Sequence, residues 1–346
     1  MNWPYRRLPW PLHLVLWLFS LPFAWLARLR RLAFAQGWLA STRLAKPVIS
    51  VGNLTWGGTG KSPLISWLVE ECQKLGIKPA ILTRGYKSQG RGLRRLGPGG
   101  NSPSPEEAGD EPWMLHLRHP DVPILIQADR ADSGQVAARE ADLLLLDDGM
   151  QHLQLQRNLD LCLIDHSRGL GNGLVMPCGP LREPARALAQ ASAVVVTKAN
   201  LPAAPDLNQV LNLIPPGLPV FFTEYHPQSL VLAQTGKELP LTWLQEKEIH
   251  AFSGLGNNAG FAATLSGLGL PLASHLVLPD HGSYATVMQQ ELAKKTGILL
   301  TTEKDFARLQ GQLANWPAFY WLKMAVQIPP DFAAWLELRL KEIAHV

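Results

Sequence analysis

The run Gly52-Asn53-Leu54-Thr55-Trp56-Gly57-Gly58-Thr59-Gly60-Lys61-Ser62 sets glycines, a lysine and a hydroxyl in the order that phosphate chemistry uses. It lies between an apolar segment of strand character, 47–51, and a helical segment, 63–75. Glycines let backbone N–H groups turn inward around phosphate oxygens, and a helix N-terminus adds positive potential. In such a loop Asn53, Thr55, Gly57, Gly58, Thr59 and Gly60 form the cradle. Lys61 reaches the terminal phosphates of a nucleoside triphosphate, and Ser62 holds Mg²⁺. The strict spacing wants glycine six residues before the lysine, where this chain has Thr55. The flanking strand and helix keep the motif; the bland alternative is a glycine-rich turn with a chance Gly-Lys-Ser.

A second element follows about 85 residues on. Leu143-Leu144-Leu145-Leu146-Asp147-Asp148-Gly149 is an apolar run ending in two carboxylates. A buried strand that aims a carboxylate at the metal beside a P-loop has this form. Asp147 is the better metal candidate, and Asp148 stands next to it or partners His152. Gly109-Asp110-Glu111-Pro112 offers a carboxylate that could take the proton of an attacking hydroxyl, although Asp before Glu-Pro is also an ordinary helix cap. His281 beside Asp280 reads either as a catalytic pair or as a turn histidine. Arg182, in Gly179-Pro180-Leu181-Arg182-Glu183-Pro184, either meets phosphate or is solvated. Thr301-Thr302-Glu303-Lys304-Asp305 either lines the nucleotide or caps a helix. Thr197-Lys198-Ala199-Asn200 approaches a guanine-reading motif, but Asn200 is not the carboxylate that would accept two guanine N–H donors, so ATP is favoured over GTP.

The elements that must position these groups are continuous apolar runs rather than alternating ones. Segments 47–51, 79–83, 123–127, 142–147, 159–165 and 193–198 read as strands covered on both faces, hence a parallel sheet with helices on each side. Helical segments 63–75, 129–141 and 183–191 supply crossovers. Residues 90–112 form a long Gly-, Pro- and Ser-rich loop carrying Arg91, Arg94 and Arg95, a length typical of functional loops. Extended segments 220–224 and 229–232 suggest a linker. A second α/β set follows: strands 249–253, 273–278 and 298–301 with helices 258–268 and 284–296, then a closing helix over 330–343.

Length, 346 residues, allows one large or two medium domains. The expected division is an anchor over 1–35, a P-loop domain over 36–218, a linker over 219–247, a smaller domain with its return strand over 248–325, and a C-terminal helix over 326–346. Three scattered cysteines, Cys72, Cys162 and Cys178, fit a reducing compartment without a disulfide framework. The net charge of +4 is concentrated at one end. No acidic residue precedes Glu70, while eight basic ones do, leaving 24 basic against 28 acidic in the remainder. A nucleic-acid-binding surface is therefore not implied.

That basic end is also the most apolar part of the chain, and five of the 12 tryptophans fall in its first forty residues. Tryptophan favours the headgroup level, and arginine pairs with lipid phosphate. The run over 12–27 is shorter than the roughly 20 residues of a clean span and is interrupted by Pro22. Of an interfacial helix, a true span, and a core or signal segment, the interfacial helix is the reading adopted.

Taken in order, these segments resemble the tetraacyldisaccharide 4′-kinase family, the lipid A 4′-kinases of Gram-negative bacteria. The resemblance rests on Val51-Gly52-Asn53, Gly57-Gly58-Thr59-Gly60-Lys61, Thr83-Arg84-Gly85-Tyr86, Gly109-Asp110-Glu111-Pro112 and Asp147-Asp148-Gly149-Met150-Gln151-His152. It continues through Gly179-Pro180-Leu181-Arg182-Glu183-Pro184, Asp280-His281 and Thr302-Glu303-Lys304-Asp305. It implies a P-loop-type three-layer α/β/α domain, a second, smaller α/β/α domain, a two-stranded linker, and an active site in the cleft between them. It implies ATP-dependent phosphorylation of the 4′-hydroxyl of an acylated glucosamine disaccharide 1-phosphate at the cytoplasmic face of the inner membrane, by a monomer. Asp110 would be the base with His281 as its partner, Lys61 would act on phosphate, and Ser62, Asp147 and Asp148 would hold Mg²⁺. Tyr86, Arg91, Arg94, Arg95, Glu111, His152, Arg182, Glu303, Lys304 and Asp305 are secondary candidates. The three loop arginines are expected at the substrate's 1-phosphate because of their charge ahead of Asp110. Met150 stands where the family usually has an aromatic, Trp56 where a smaller residue is expected, and Ser62 where threonine is commoner.

Overall fold

A computed structural model describes residues 9–85, 88, 90–100, 103–254, 258–270, 272–278 and 286–344. Tyr86, Asp280 and His281 lie outside the described residues. In chain order the elements are α1 (Trp10–Ala35), β1 (Val48–Asn53), α2 (Lys61–Lys74), β2 (Pro79–Thr83), β3 (Arg94–Leu96), α3 (Pro105–Ala108), α4 (Asp110–Arg118), β4 (Ile124–Ile126), α5 (Arg130–Ala137), β5 (Leu143–Asp147), β6 (Leu159–Asp165), β7 (Ala193–Thr197), α6 (Leu207–Asn212) and β8 (Val220–Leu232). There follow β9 (Glu238–Leu239), β10 (Ile249–Ser253), α7 (Asn258–Gly267), β11 (Leu272–Val277), α8 (Thr286–Ala293), β12 (Ile298–Thr302), α9 (Glu303–Leu309), β13 (Tyr320–Gln327) and α10 (Pro330–Ala344).

The strand order is β11-β10-β12-β13-β8-β7-β6-β1-β5-β2-β4-β3. β1 sits between β5 and β6 in parallel register, Val51 lying opposite Asp147. That register puts the carboxylate at the end of β5 beside the turn leaving β1. Every residue of β1, β2, β5, β6 and β7 is buried, as their continuous apolar runs require. Because side chains alternate across a strand, Ile49, Val51, Leu145 and Val195 meet α2 and α10 on one face. Val48, Leu144 and Leu146 meet α5 on the other. α10 therefore closes the core of the first domain, with Phe332, Leu336 and Leu340 fully buried against it.

Several elements differ from the sequence expectation. The segment 183–191 forms only a 3-10 turn, Ala185–Gln190, and ends where Ala191 turns to extended backbone ahead of β7. The long loop over 90–112 contains β3, α3 with a Ser104–Glu107 capping box, and the first turn of α4. The two extended pieces of the linker are one 13-residue strand, β8. Its first residues, Val220 to Thr223, pair in parallel with β7; from Glu224 to Leu232 it pairs antiparallel with β13. One strand thus belongs to both domains.

α1 is a single 26-residue helix with Pro22 inside it, long and apolar enough to cross a membrane by length and composition. Most of its surface is exposed, including Trp10, Leu18, Phe19, Trp25 and Leu26. The side facing the first domain is a narrow stripe of His13, Leu16, Ser20, Ala24, Ala27 and Arg31, at the three- and four-residue spacing of one helix face. Arg31 pairs with buried Glu183 and donates to Gln190 Oε1 at 2.6 Å and to the Met150 carbonyl at 3.1 Å. Near the other end, Cys178 Sγ lies 3.6 Å from His13 Nε2.

Candidate active site

The loop after β1 is shaped by what happens to its carbonyls. Thr197 Oγ1 donates to the Thr59 carbonyl at 2.7 Å, Lys198 Nζ to that of Gly58 at 3.3 Å, and the Tyr225 hydroxyl to that of Gly60 at 2.6 Å. A planar peptide whose C=O is held on one side presents its N–H to the other. β7 and β8 thereby aim the loop amides at the space where an anion would sit. Gly60, at φ 86°, is the left-handed residue that lets α2 begin with Lys61. Thr55 needs no glycine-like conformation. It forms a bridge with Leu181, an extended geometry that suits a β-branched residue.

Lys61 is buried at the helix start, donates to Asn53 Oδ1 at 3.3 Å, and stands 3.4 Å from Asp148 Oδ1. Asn53 Nδ2 in turn donates to the Thr55 carbonyl at 2.7 Å, so it links the lysine to the loop. Asp147 accepts from Thr83 Oγ1 at 3.1 Å, while its other oxygen is buried with no hydrogen-bond partner among the described residues. Burial, with the charge of Glu111 nearby, raises its carboxyl well above the usual range; Lys61 opposes this. Asp148 behaves oppositely. Burial would raise it, but Lys61 and Arg182 outweigh burial and hold it below the usual range. Its backbone is left-handed, φ 51°, which turns its side chain toward those cations rather than toward His152.

Arg182 Nη1 donates to Asp148 Oδ2 at 2.6 Å, and its guanidinium lies 4.9 Å from the centre of the Trp56 ring. Here Trp56 supplies a face that a smaller residue could not. His152 is buried with Nε2 unpartnered among the described residues, and burial, then Arg130, lowers its imidazole to about 4, so it is neutral near pH 7. These groups, with Glu111, form one site at the ends of β1 and β5.

Other expected residues lie elsewhere. Arg95 is paired with Glu140 at 2.7 Å, Arg94 donates to the Glu107 carbonyl, and Arg91 is exposed. Thr302 caps α9, donating to Asp305 Oδ2 at 2.6 Å while accepting from Asp305 N, and Glu303 pairs with Arg118. The Thr-Glu-Lys-Asp run, with Lys304 half-buried in it, is thus a helix start at the domain boundary. Asn200 is engaged at both ends of its amide by the Tyr225 backbone, at 2.9 and 3.2 Å. Sequence reasoning missed Tyr225, Arg118 and Arg308. Arg308 donates from Nε to Asp110 Oδ2 at 2.6 Å. Its only local signal is the three-residue spacing from Asp305.

A glycine-rich anion cradle, a lysine at the helix start and paired carboxylates on the neighbouring parallel strand define a P-loop phosphotransferase. The family model described as tetraacyldisaccharide-1-P 4′-kinase matches residues 12–341. The chain belongs to the tetraacyldisaccharide 4′-kinase family, ATP-binding kinases of lipid A biosynthesis. The relative of that name from Pseudomonas putida strain GB-1 is 36% identical over 318 residues, covering 91% of this chain and 89% of its own. That from Desulfatibacillum aliphaticivorans is 35% identical over 334 residues, covering 90% and 88%. A solved structure of LpxK from Aquifex aeolicus in complex with ATP matches with a TM-score of 0.79 at 29% identity, covering 96% of this chain and 99% of that one.

Proposed function

We propose that this enzyme transfers the γ-phosphoryl group of ATP to the 4′-hydroxyl of a tetraacylated glucosamine disaccharide 1-phosphate, giving lipid IVA at the cytoplasmic face of the inner membrane. The observation carrying this reading is the convergence of Lys61, Asp147, Asp148 and Arg182 on the amide cradle, in a chain whose relatives bear that kinase's name. The acceptor hydroxyl gives its proton to Asp110 while its oxygen bonds to the γ-phosphorus. The bond to the bridging oxygen breaks, and ADP leaves. Lys61 exchanges Asp148 for phosphate oxygens, and Arg182 stands ready to neutralise charge on the same group.

Ser62, Asp147 and Asp148 would hold Mg²⁺, and the buried, unpartnered oxygen of Asp147 fits a cation. Bound there, the ion would neutralise charge on the transferring phosphoryl group. His281 would partner Asp110. Arg91, being exposed, is the loop arginine best able to meet the 1-phosphate, since Arg94 and Arg95 are engaged.

The helix α1 would lie in the membrane face rather than across it. Its support is the stripe from His13 to Arg31, fastened to one domain at two points about 27 Å apart along the helix axis. The remaining apolar surface faces outward for lipid. All proposed groups come from one chain, so a monomer suffices.

The test is incubation of full-length protein with labelled ATP and the acylated disaccharide 1-phosphate, followed by lipid chromatography. A labelled lipid, absent with folded Asp110→Ala, is expected; label appearing only as free phosphate would sink the reading. Removing residues 1–35 should release the protein from membranes after a carbonate wash, and retention as firm as before would refute the anchor.

A further inference from the structure

α4 and α9 come from different domains and pack antiparallel, each end of the pair closed by an ion pair of opposite order. At one end Asp110, the first residue of α4, meets Arg308 near the end of α9. At the other Arg118, the last residue of α4, meets Glu303, the first of α9, and also donates to the Met324 carbonyl at 3.0 Å. Just past Arg308, Gln310 Oε1 accepts from Trp113 Nε1 of α4 at 2.5 Å.

Arg308 is itself held from three directions. Its side chain is 9% exposed, its Nε faces Asp110 Oδ2, and its Nη1 donates to the Gly254 carbonyl at 2.7 Å and to Asp305 Oδ1 at 3.2 Å. Asp305 is buried and also accepts from Gly254 N at 3.2 Å. The guanidinium is a planar fork whose donors have fixed relative directions, so anchoring Nη1 sets where Nε points. Asp110 opens α4 directly after Gly109, a helix start with no side-chain cap. The next residue, Glu111, is close enough to the first domain's Asp147 to raise its carboxyl. Two successive residues of α4 therefore answer to the two domains.

We propose that Arg308 is a positioning residue for Asp110: it orients the base from the second domain, so that the base is aligned only when α9 is docked on α4. The proposal rests on the reading of Asp110 as the base. A carboxylate displaced by an ångström at a transferring proton loses on the order of 100-fold in rate, so loss of the guide should appear in turnover and not in nucleotide binding.

The test compares Arg308→Gln, Arg308→Lys, Asp110→Asn and the Asp110→Asn, Arg308→Gln pair as full-length enzymes in lipid–detergent micelles. Turnover, both Michaelis constants and the affinity for a fluorescent ATP analogue are measured. Arg308→Gln should lower kcat by about 10- to 100-fold with nucleotide affinity unchanged, and Arg308→Lys should recover part of the loss. In the Asp110→Asn background, followed with excess enzyme, Arg308→Gln should change the rate by less than about threefold, as expected when two groups act as one unit. An equal further loss in that background, a parallel fall in nucleotide affinity, or no recovery with lysine would overturn the proposal, as would a rise in kcat. If glutamine prevents folding, the lysine variant decides. It keeps a charge beside Asp305 but cannot reach Asp110 and the Gly254 carbonyl together, so it should fold and still lose turnover; full turnover would overturn the proposal. Unimpaired Asp110→Asn would defeat the base reading itself, whereas inactive Asp110→Asn with unimpaired Arg308→Gln would defeat only the positioning role.

Discussion

Asp147 and Asp148 are neighbours in sequence and opposites in surroundings. Asp148 is held ionised by Lys61 and Arg182, whereas burial and the charge of Glu111 favour the protonated form of Asp147. A cation binding at Asp147 must therefore displace a proton over a higher pH range than an ordinary carboxylate would demand. Mg²⁺ affinity, followed by calorimetry in the presence of an ATP analogue, should weaken from neutral to mildly acidic buffer, and Asp147→Asn should remove that dependence. The metal-free protein should show the reverse sign in stability. A carboxyl raised on folding binds more protons in the native state, so stability falls as pH rises through that window. A melting temperature that instead climbs through it would contradict the assignment. Gly60→Ala makes a second test at this scale, since an added Cβ would sit 2.6 Å from the Tyr225 ring at a residue of φ 86°. The variant should fold yet lose most nucleotide affinity, because the loop must shift off Tyr225. Lys61 and Ser62 were legible because a P-loop is written in consecutive residues. The Arg308–Asp110 contact was not, since its members are 198 positions apart and neither carries a local sign of the other.

Among the elements, α1 shows most clearly what periodicity leaves out. Its apolar run is visible in sequence, but His13 and Ser20 read as interruptions and Arg31 as one of the arginines meant for lipid phosphate, whereas all three lie on the docked face and Arg31 is buried against Glu183. Arg31 and Glu183 are 6% and 5% exposed, so removing one partner strands a buried charge. Arg31→Ala should cost about 3–5 kcal/mol in denaturant unfolding, and Arg31→Ala with Glu183→Leu should recover much of it. A double variant no better than the single would show that packing, not charge, holds the helix. The strands were readable because buried parallel strands are uninterrupted apolar runs. α9 was half legible, its start read as either lining the nucleotide or capping a helix, and the cap is what forms; β3 was hidden because its arginines suggested a ligand rather than a sheet edge.

In the whole molecule the last helix belongs to the first domain. Phe332 of α10 is fully buried, stacked on Phe221 at 4.7 Å between ring centres and tilted against Trp67 at 5.4 Å. Phe332→Ala should destabilise that domain by about 3–5 kcal/mol, read as a lowered denaturation midpoint that ATP analogues partly restore. An unchanged midpoint would mean α10 packs elsewhere in solution. The chain passes into the smaller domain through β8 and returns through β13, and the last three rungs of that pair, Leu230–Leu322, Val231–Trp321 and Leu232–Tyr320, lie within the smaller domain's own part of the sheet beside β12. The two domains are therefore joined by the remaining five rungs of the ribbon, from Glu224–Gln327 to Ser229–Lys323, with the α4–α9 contact beside them. Such a ribbon behaves as a torsion bar that yields to winding more readily than to stretching, and the register shift between Lys323 and Met324 is the one irregularity along it. Displacement of the smaller domain should be graded, with the angle shared along the bar. Spin labels on α4 and α9 should report one broad distance distribution that narrows as the bar is wound tight. Two sharp, exchanging distances would mean a pivot exists after all.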